Sequence, residues 1–177
     1  MTGMLLPLQV VALPVASELR SSLRRIDFVD AYEARLSKSE QSVKQAYWAV
    51  FGFEPIWVRW LMNLRGCIAV QLGLTHHFTL PVIPQGAVPS FEIGARVGPF
   101  TVQSVSLHEV IVGDDDKHLN FRISALKSER DGQSFLTIST AVEIHNNLGR
   151  AYMFVVKPFH RFIAPFMVRR ALLLGRL

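Results

Sequence analysis

Strand patterns separated by tight turns fill residues 100–157 and lead into one apolar helix. From Phe100 onward, apolar and polar side chains alternate, and clusters of glycine, aspartate, asparagine and arginine interrupt the alternation three times. Alternation of this kind is typical of half-buried antiparallel strands. We therefore predict four consecutive antiparallel strands, over residues 100–112, 118–125, 135–145 and 151–157.

One apolar helix is predicted after the fourth strand. Pro158 suits its first position, because proline lacks the amide hydrogen that the first turn of a helix leaves unused. Pro165 removes a backbone donor further along and is expected to kink the helix. The helix is expected to pack on the sheet through a narrow apolar arc, which holds Phe159, Phe162, Ile163, Phe166 and Leu173.

The first half of the chain carries weaker signals. The pattern of residues 27–36 predicts a strand, and Ser37 followed by Glu40 has the spacing of a capping box at the start of a short helix. A second short helix is predicted from Pro55 to Gly66. Together these elements indicate an α+β fold in which an antiparallel sheet wraps around a long C-terminal helix. Such an arrangement tends to leave an apolar cavity between sheet and helix.

Chain length and cysteine content limit the classes of protein to which this chain can belong. A chain of 177 residues, 50% of them hydrophobic, is the size of one domain with a substantial core. We treat residues 1–177 as one domain, in which 1–24 form an N-terminal extension whose packing the sequence leaves open. The lone cysteine, Cys67, excludes an intrachain disulfide and favours a reducing, cytoplasmic location.

Apolar stretches do not predict membrane insertion. The run from Met4 to Val15 has no Lys or Arg before it and contains two prolines, so it is expected to be mature chain rather than a signal peptide. The other apolar stretches are interrupted too early by arginine or lysine to form a membrane span.

Basic residues concentrate at the end of the chain. Residues 146–177 hold six Lys and Arg side chains and no acidic one, within a chain whose net charge is +5. Such asymmetry is compatible with contact to anionic lipid, nucleic acid or an acidic ligand. We favour the simpler interpretation that these side chains complement the helix dipole. No nucleic-acid partner is expected, membrane contact is the weaker alternative, and a homodimer would suit the apolar surplus.

No cofactor or metal site is predicted. The adjacent His76 and His77 would point to opposite faces of a strand, which suits the binding of one metal ion poorly. The aspartates at 114–116 lack the spacing of a calcium loop and are expected to form a solvated turn with Gly113. The chain carries no phosphate loop or dinucleotide fingerprint.

A polar row on the second predicted strand holds the candidate catalytic residues. His118, Asn120 and Arg122 alternate with apolar side chains, and His145 lies near Glu143 on the next strand. If the row faces the cavity, His118 or His145 could transfer protons and Arg122 could bind an anionic or carbonyl group. We favour the ordinary arrangement of an antiparallel sheet, in which the polar row lies on the solvated outer face and the apolar row of Leu119, Phe121, Ile123 and Ala125 lies inside.

Two runs of residues carry a resemblance to a known family. They are His108, Gly113, Asp115, Asp116, His118, Leu119, Phe121 and Arg122, and later His145, Asn147, Gly149, Arg150, Tyr152, Pro158, Phe159 and His160. The chain resembles a bacterial family of domains of unknown function, which is similar to the START-like, polyketide-cyclase-like (SRPBCC) superfamily of helix-grip proteins. The resemblance implies a curved sheet of about seven strands around the C-terminal helix, with an internal cavity, and it brings no established reaction. Asn120 departs from the acid expected there, which argues against that position as a base.

The leading hypothesis is that the protein binds a small hydrophobic or amphipathic molecule in the cavity between sheet and C-terminal helix. His160, in the first turn of the predicted helix, would be a neutral hydrogen-bond acceptor, because the positive end of the dipole disfavours its protonation. An enzyme of the cyclase, dehydratase or hydrolase type, using His and Arg in that cavity, is the alternative. A third hypothesis is contact of the basic segment with a membrane surface or nucleic acid. The expected ligand-binding residues are His108, Tyr152, Phe159, His160, Phe162 and Phe166.

Overall fold

One antiparallel sheet forms the centre of the computed structural model, which describes residues 8–53, 55–61, 66 and 89–177. Its strands are β1 (Gln9–Val10), β2 (Phe28–Arg35), β3 (Arg96–Val97), β4 (Phe100–Val105), β5 (Glu109–Asp115), β6 (Leu119–Arg130) and β7 (Gln133–Ile144). These seven strands pair in the order β1-β2-β7-β6-β5-β4-β3. The two longest, β6 and β7, therefore lie at the centre, next to β2.

Helices accompany the sheet. Helix α1 comprises Val43–Phe51, helix α2 is described over 56–61, and the long C-terminal helix α3 comprises Asn147–Leu173. The predicted α+β fold, a curved antiparallel sheet of seven strands with a long C-terminal helix, is confirmed. In the part of the chain that the structure describes, no helix is long and apolar enough to cross a membrane.

Helix α1 begins five residues later than predicted. Ser42, and not Ser37, is its N-cap: the amide of Gln45 donates to Oγ of Ser42 at 3.3 Å, and the amide of Ser42 donates to Oε1 of Gln45 at 2.9 Å. Both serines have a capping-box partner three residues on, so the spacing alone did not distinguish them. Within the helix that follows Ser42, Ala46 and Tyr47 are buried in the core.

The sheet face toward α3 holds the main core. Ile123 and Ala125 of β6 lie on this face, where Ala125 is the register partner of Ile138 in β7. They belong to one buried cluster with Met167 and Val168 of α3. Burial of each large side chain of this kind contributes about 1.5–3 kcal/mol to folding. The predicted apolar row of Leu119, Phe121, Ile123 and Ala125 is thus correctly assigned to the inner face.

The N-terminal segment covers the opposite face of the sheet. Leu19 and Leu23 pack against Ile111 of β5 and Ala141 of β7. The polar row of β6 shares this face, and its central members, Arg122 and Ser124, are buried. The predicted alternatives were a cavity on the helix side or a solvated outer face, and both are wrong for these two residues, because a third layer of chain lies on the outer face.

The strand predicted over residues 100–112 is a hairpin of two strands. Residues 100–112 divide into β4 and β5, and the turn between them is held by the amide of Glu109, which donates to Oγ of Ser106 at 2.9 Å. A β-bulge in β4 shifts its pairing with β5, which breaks the uniform alternation that the sequence suggested. The predicted turn at Gly113 is also wrong, since Gly113, Asp114 and Asp115 lie within β5.

Helix α3 begins eleven residues before the predicted helix, so the fourth strand predicted over 151–157 is wrong. The amide of Gly149 donates to Oδ1 of Asn146 at 3.1 Å, and this contact caps the helix. Tyr152 and Met153 then pack against Phe28 of β2. Aromatic and β-branched residues favour strands in isolation, but here their burial follows helical spacing.

Helix α3 presents a different face to the sheet than predicted. The predicted apolar arc lies largely outside, since Phe159, Phe162 and Leu173 are exposed, and Ile163 and Phe166 are half-buried. The buried residues of the helix are Gly149, Tyr152, Met153, Ala164, Met167, Val168 and Ala171.

Candidate functional site

A polar cluster lies between β2, β7 and α3, on the sheet face that is otherwise apolar. Asp30 of β2 is the register partner of Thr140 in β7, and Tyr32 follows two residues along β2. Alternate residues of a strand share a face, so Asp30 and Tyr32 both point toward α3. His160 of α3 contacts both strands from above. We call Asp30, Tyr32, Thr140 and His160 the His160 cluster.

Both ring nitrogens of His160 have a partner. Nδ1 lies 3.1 Å from Oδ2 of Asp30, and Nε2 lies 3.2 Å from Oγ1 of Thr140. An ionised carboxylate only accepts hydrogen bonds, so Nδ1 carries a proton and donates to Asp30. In the neutral ring, Nε2 then accepts from the Thr140 hydroxyl. The imidazole therefore stands between a carboxylate and a hydroxyl, with its tautomer fixed by the carboxylate.

Asp30 is incompletely satisfied. Its side chain is 10% exposed, and Oδ1 is buried without a hydrogen-bond partner among the described residues. The Tyr32 hydroxyl lies 3.5 Å from the other oxygen, Oδ2, at the limit of a hydrogen bond. A buried acceptor that lacks a donor destabilises a protein by about 1–3 kcal/mol. A donor group brought by a bound molecule or a water would remove that penalty.

The surroundings of the cluster combine aromatic and cationic side chains. Burial raises the pKa of Tyr32 above its ordinary value of 10.0, and Asp30 adds to the shift while Arg161 opposes it. The phenol is therefore protonated at neutral pH and can donate. Lys157 lies 5.3 Å from the ring centre of Phe28, which meets His160 edge to face. The His160 side chain is 24% exposed, so the cluster is accessible from solvent on one side.

The three predicted catalytic residues are not part of this cluster. Nη1 of Arg122 pairs with Asp115 at 2.7 Å and donates to the carbonyl of Phe121 at 2.9 Å, on the sheet face away from α3. His118 lies in the β5–β6 turn, where Nδ1 contacts the side-chain amide group of Asn146, and His145 is exposed. The contacts of Arg122 hold the hairpin of β5 and β6 together.

The predicted ligand-binding residues are divided among several places. His160 lies in the cluster, but in the fourth turn of α3 instead of its first, so the dipole argument for its protonation state does not apply. Tyr152 packs beside Phe28, and Phe166 contacts Trp57 with a ring distance of 5.0 Å. His108 is exposed in the β4–β5 turn, and the exposed Phe159 and Phe162 lie on the outer side of α3.

Sequence reasoning missed Asp30, Tyr32 and Thr140. A usable signal was present, because Asp30 interrupts an alternating set in which Phe28 and Tyr32 share its side of the strand. Thr140 likewise lies in the apolar row of β7. A charged or hydroxyl side chain within an apolar row indicates either a structural hydrogen bond or a site.

A second buried carboxylate lies on the opposite face of the sheet. Glu109 is 3% exposed, and Oε1 accepts hydrogen bonds from Ser17 Oγ at 2.5 Å and from the Ser124 hydroxyl. Oε2 accepts from the amide of Glu18 at 2.8 Å. These donors satisfy both carboxylate oxygens. Glu109 therefore fastens the N-terminal segment to β5, and its oxygens are already occupied by donors of the chain itself.

A surface groove of ≈ 770 Å³ lies beside α1, lined in part by Gln41, Trp48, Phe53 and Arg176. The guanidinium of Arg176 lies 4.0 Å from the ring centre of Phe53. Burial lowers the pKa of Arg176, and the nearby Arg170 adds to that effect. The groove is separate from the His160 cluster.

Among the residues that the structure describes, no group of three or more His, Cys, Asp or Glu side chains could hold a metal ion. His76, His77 and Cys67 lie outside the described residues.

Comparison with known proteins gives a family match and a structural similarity. A family model described as a protein of unknown function (DUF2867) matches residues 22–167. Among solved structures, the chain is similar to protein Ms6760 from Mycobacterium smegmatis, with 10% sequence identity and a TM-score of 0.41. That similarity covers 80% of this chain and 88% of the other. No curated protein matches the chain.

Proposed function

We propose that this chain, which belongs to the DUF2867 family of proteins of unknown function, binds a small amphipathic molecule between the sheet and α3. The observation that carries the proposal is Asp30, whose Oδ1 is buried without a donor beside a partly exposed imidazole. A polar group of the ligand donates to Asp30, and the apolar part lies against the ring of Phe28, which meets His160 edge to face.

The chemistry of the cluster limits the polar group. Asp30 accepts hydrogen bonds only, so the ligand must supply a donor, such as a hydroxyl. The charged groups of Lys157 and Arg161 lie 5.3 and 6.0 Å from the ring centre of Phe28, so positive charge is already present near the cluster and the donor need not be a cation. A neutral hydroxyl on an apolar body therefore matches the site better than a strongly charged molecule does.

The resemblance to START-like (SRPBCC) helix-grip proteins supports this proposal, because that fold has a cavity between sheet and helix. The lone cysteine, Cys67, favours a reducing compartment, and we place the protein in the cytoplasm on that basis.

Native mass spectrometry of the purified chain tests the proposal. We expect an additional mass on the wild type that extracts as an amphipathic molecule. Asp30→Ala should lower its occupancy about tenfold or more, because a hydrogen bond to a charged group is worth about 1.5–3 kcal/mol. His160→Ala should lower it as well, because Nδ1 of His160 holds the Asp30 carboxylate in place. His145→Ala is the matched control, since His145 is exposed and outside the cluster. A wild type without any bound mass, or an adduct that both cluster variants retain, would contradict binding at this site.

The order of carboxylate, imidazole and hydroxyl favours a second candidate function, acid–base catalysis with His160 as proton acceptor. Asp30 fixes the ring orientation and stabilises the imidazolium that forms. In hydrolysis of p-nitrophenyl esters, His160 would deprotonate the attacking water, and His160→Ala should reduce the rate about 10²-fold or more. Equal rates for the wild type, His160→Ala and the His145→Ala control would exclude this chemistry for such esters.

A further inference from the structure

Helix α3 is apolar on its outer side as well as on its buried side. Phe154 is 84% exposed and Phe162 is 64% exposed, while Val155 and Phe159 are each more than half exposed. All four lie within three turns of the helix. A helix with a second apolar face besides the one packed in the core needs a second apolar environment.

Helix α2 extends this apolar surface. Trp57 packs against Phe162 with a ring distance of 6.2 Å, which joins the two helices. Ile56 and Trp60, on the same short helix, are both mostly exposed. Single exposed apolar residues are ordinary, but a contiguous group marks an interaction site. We call this surface the aromatic face, comprising Ile56, Trp57, Trp60, Phe154, Val155, Phe159 and Phe162.

Basic side chains border the aromatic face. Arg150, Lys157 and Arg161 follow one another at intervals of seven and four residues, which places them along one edge of α3. Arg169 is exposed and lies about two turns beyond Phe162. Residues 146–177 contain no acid, and within the described ranges no Lys or Arg of α3 forms an ion pair. The basic side chains of this edge therefore have no salt-bridge partner among the described residues.

We propose that the aromatic face docks on an anionic lipid surface, with α3 lying in the plane of the interface. Tryptophan and phenylalanine enter the boundary between headgroups and acyl chains, and the flanking Lys and Arg side chains extend toward anionic headgroups. Each basic side chain near such a surface contributes to binding, and salt weakens the contribution. A second copy of the chain matches less well, because the same basic edge would approach itself.

Sedimentation with lipid vesicles tests the docking surface. We expect the wild type to bind mixed vesicles made of equal amounts of phosphatidylglycerol and phosphatidylcholine. It should bind vesicles of phosphatidylcholine alone much more weakly. Binding should fall as salt is raised. Two of the three tryptophans, Trp57 and Trp60, lie in the aromatic face, so tryptophan fluorescence should shift to shorter wavelength with the mixed vesicles.

Matched variants distinguish binding through the aromatic face from nonspecific adsorption to lipid. The double variant Phe154→Ser, Phe162→Ser should bind the mixed vesicles at least about tenfold more weakly, as expected for two aromatic side chains that no longer enter the lipid. Leu107→Ser is its control, because Leu107 is 88% exposed in the β4–β5 turn, away from α3. Arg169→Glu should also weaken binding about tenfold or more, whereas Arg24→Glu, an equal charge change in the exposed N-terminal segment, should not.

Circular dichroism of each variant must match the wild type before binding is compared. Failure of the wild type to bind the mixed vesicles would overturn the proposal. It would also be overturned by equal binding of the phenylalanine variant and the Leu107 control. A dimer in solution that the phenylalanine variant dissociates would assign the aromatic face to self-association instead. His160→Ala should bind vesicles like the wild type, so this test and the ligand test succeed or fail separately.

Discussion

Replacing Glu109 with alanine is expected to lower the free energy of unfolding by roughly 3–5 kcal/mol, because three buried hydrogen bonds to its carboxylate are lost. The hydroxyls of Ser17 and Ser124 and the amide of Glu18 would lose their acceptor at a position where water is excluded. A cavity would be left beneath the N-terminal segment as well. Urea denaturation followed by circular dichroism measures the loss.

Two further variants define the role of Glu109. Glu109→Gln keeps the shape and one acceptor oxygen, so it should be destabilised less than the alanine variant. Glu129→Ala, at an exposed end of β6, should change stability by less than about 0.5 kcal/mol. Hydrogen exchange at the amides of Glu18 and Leu19 should accelerate in Glu109→Ala. Wild-type stability in that variant would mean that the N-terminal segment is held by its apolar contacts alone.

Replacing Gly149 with alanine is expected to destabilise the protein by about 2–3 kcal/mol through overpacking. A methyl group on Gly149 would overlap the carbonyl oxygen of His118 and press on the Ile144 side chain. That carbonyl cannot move away freely, because the amide of His145 donates to it at 2.9 Å. Thermal and urea unfolding both report the change.

The sign of the Gly149 effect makes the test decisive. At an open helical position, glycine to alanine stabilises by about 1 kcal/mol, since alanine has the higher helix propensity. Ala151→Gly, at an exposed position of the same helix, is the matched control and should destabilise by about 1 kcal/mol. A stabilising effect of Gly149→Ala would show that α3 does not approach the β5–β6 turn as closely as the structure has it.

Much of the fold was predictable because its signals are local. Alternation identified the strands now called β6 and β7, and it assigned Leu119 and Ile123 to the inner face. Period-2 alternation is a direct consequence of the strand backbone, so it appears in the sequence wherever one face is apolar. The single long C-terminal helix was likewise visible, although its first eleven residues were predicted to be a turn followed by the strand 151–157.

The misassigned elements have a common cause. The N-cap at Asn146 and the close approach of Gly149 to His118 decide where α3 begins, and the second of these is a contact between distant parts of the chain. Arg122 and Ser124 were interpreted as part of an outer polar row, because the sequence of the strand carries no signal that the N-terminal segment covers this face of the sheet. Such contacts carry no periodicity that a sequence window could detect.

The same division between local signals and long-range contacts applies to the candidate site. The sequence by itself determined an antiparallel sheet with an apolar inner face, a helix rich in phenylalanine and a basic last segment, because these depend on residue order within one element. Only the tertiary structure decided that Asp30, Thr140 and His160 meet, that Glu109 is buried and that the phenylalanines of α3 point outward. These outcomes depend on strand register and on the rotation of α3 about its axis, and both are set by packing between residues more than a hundred positions apart or on separate elements.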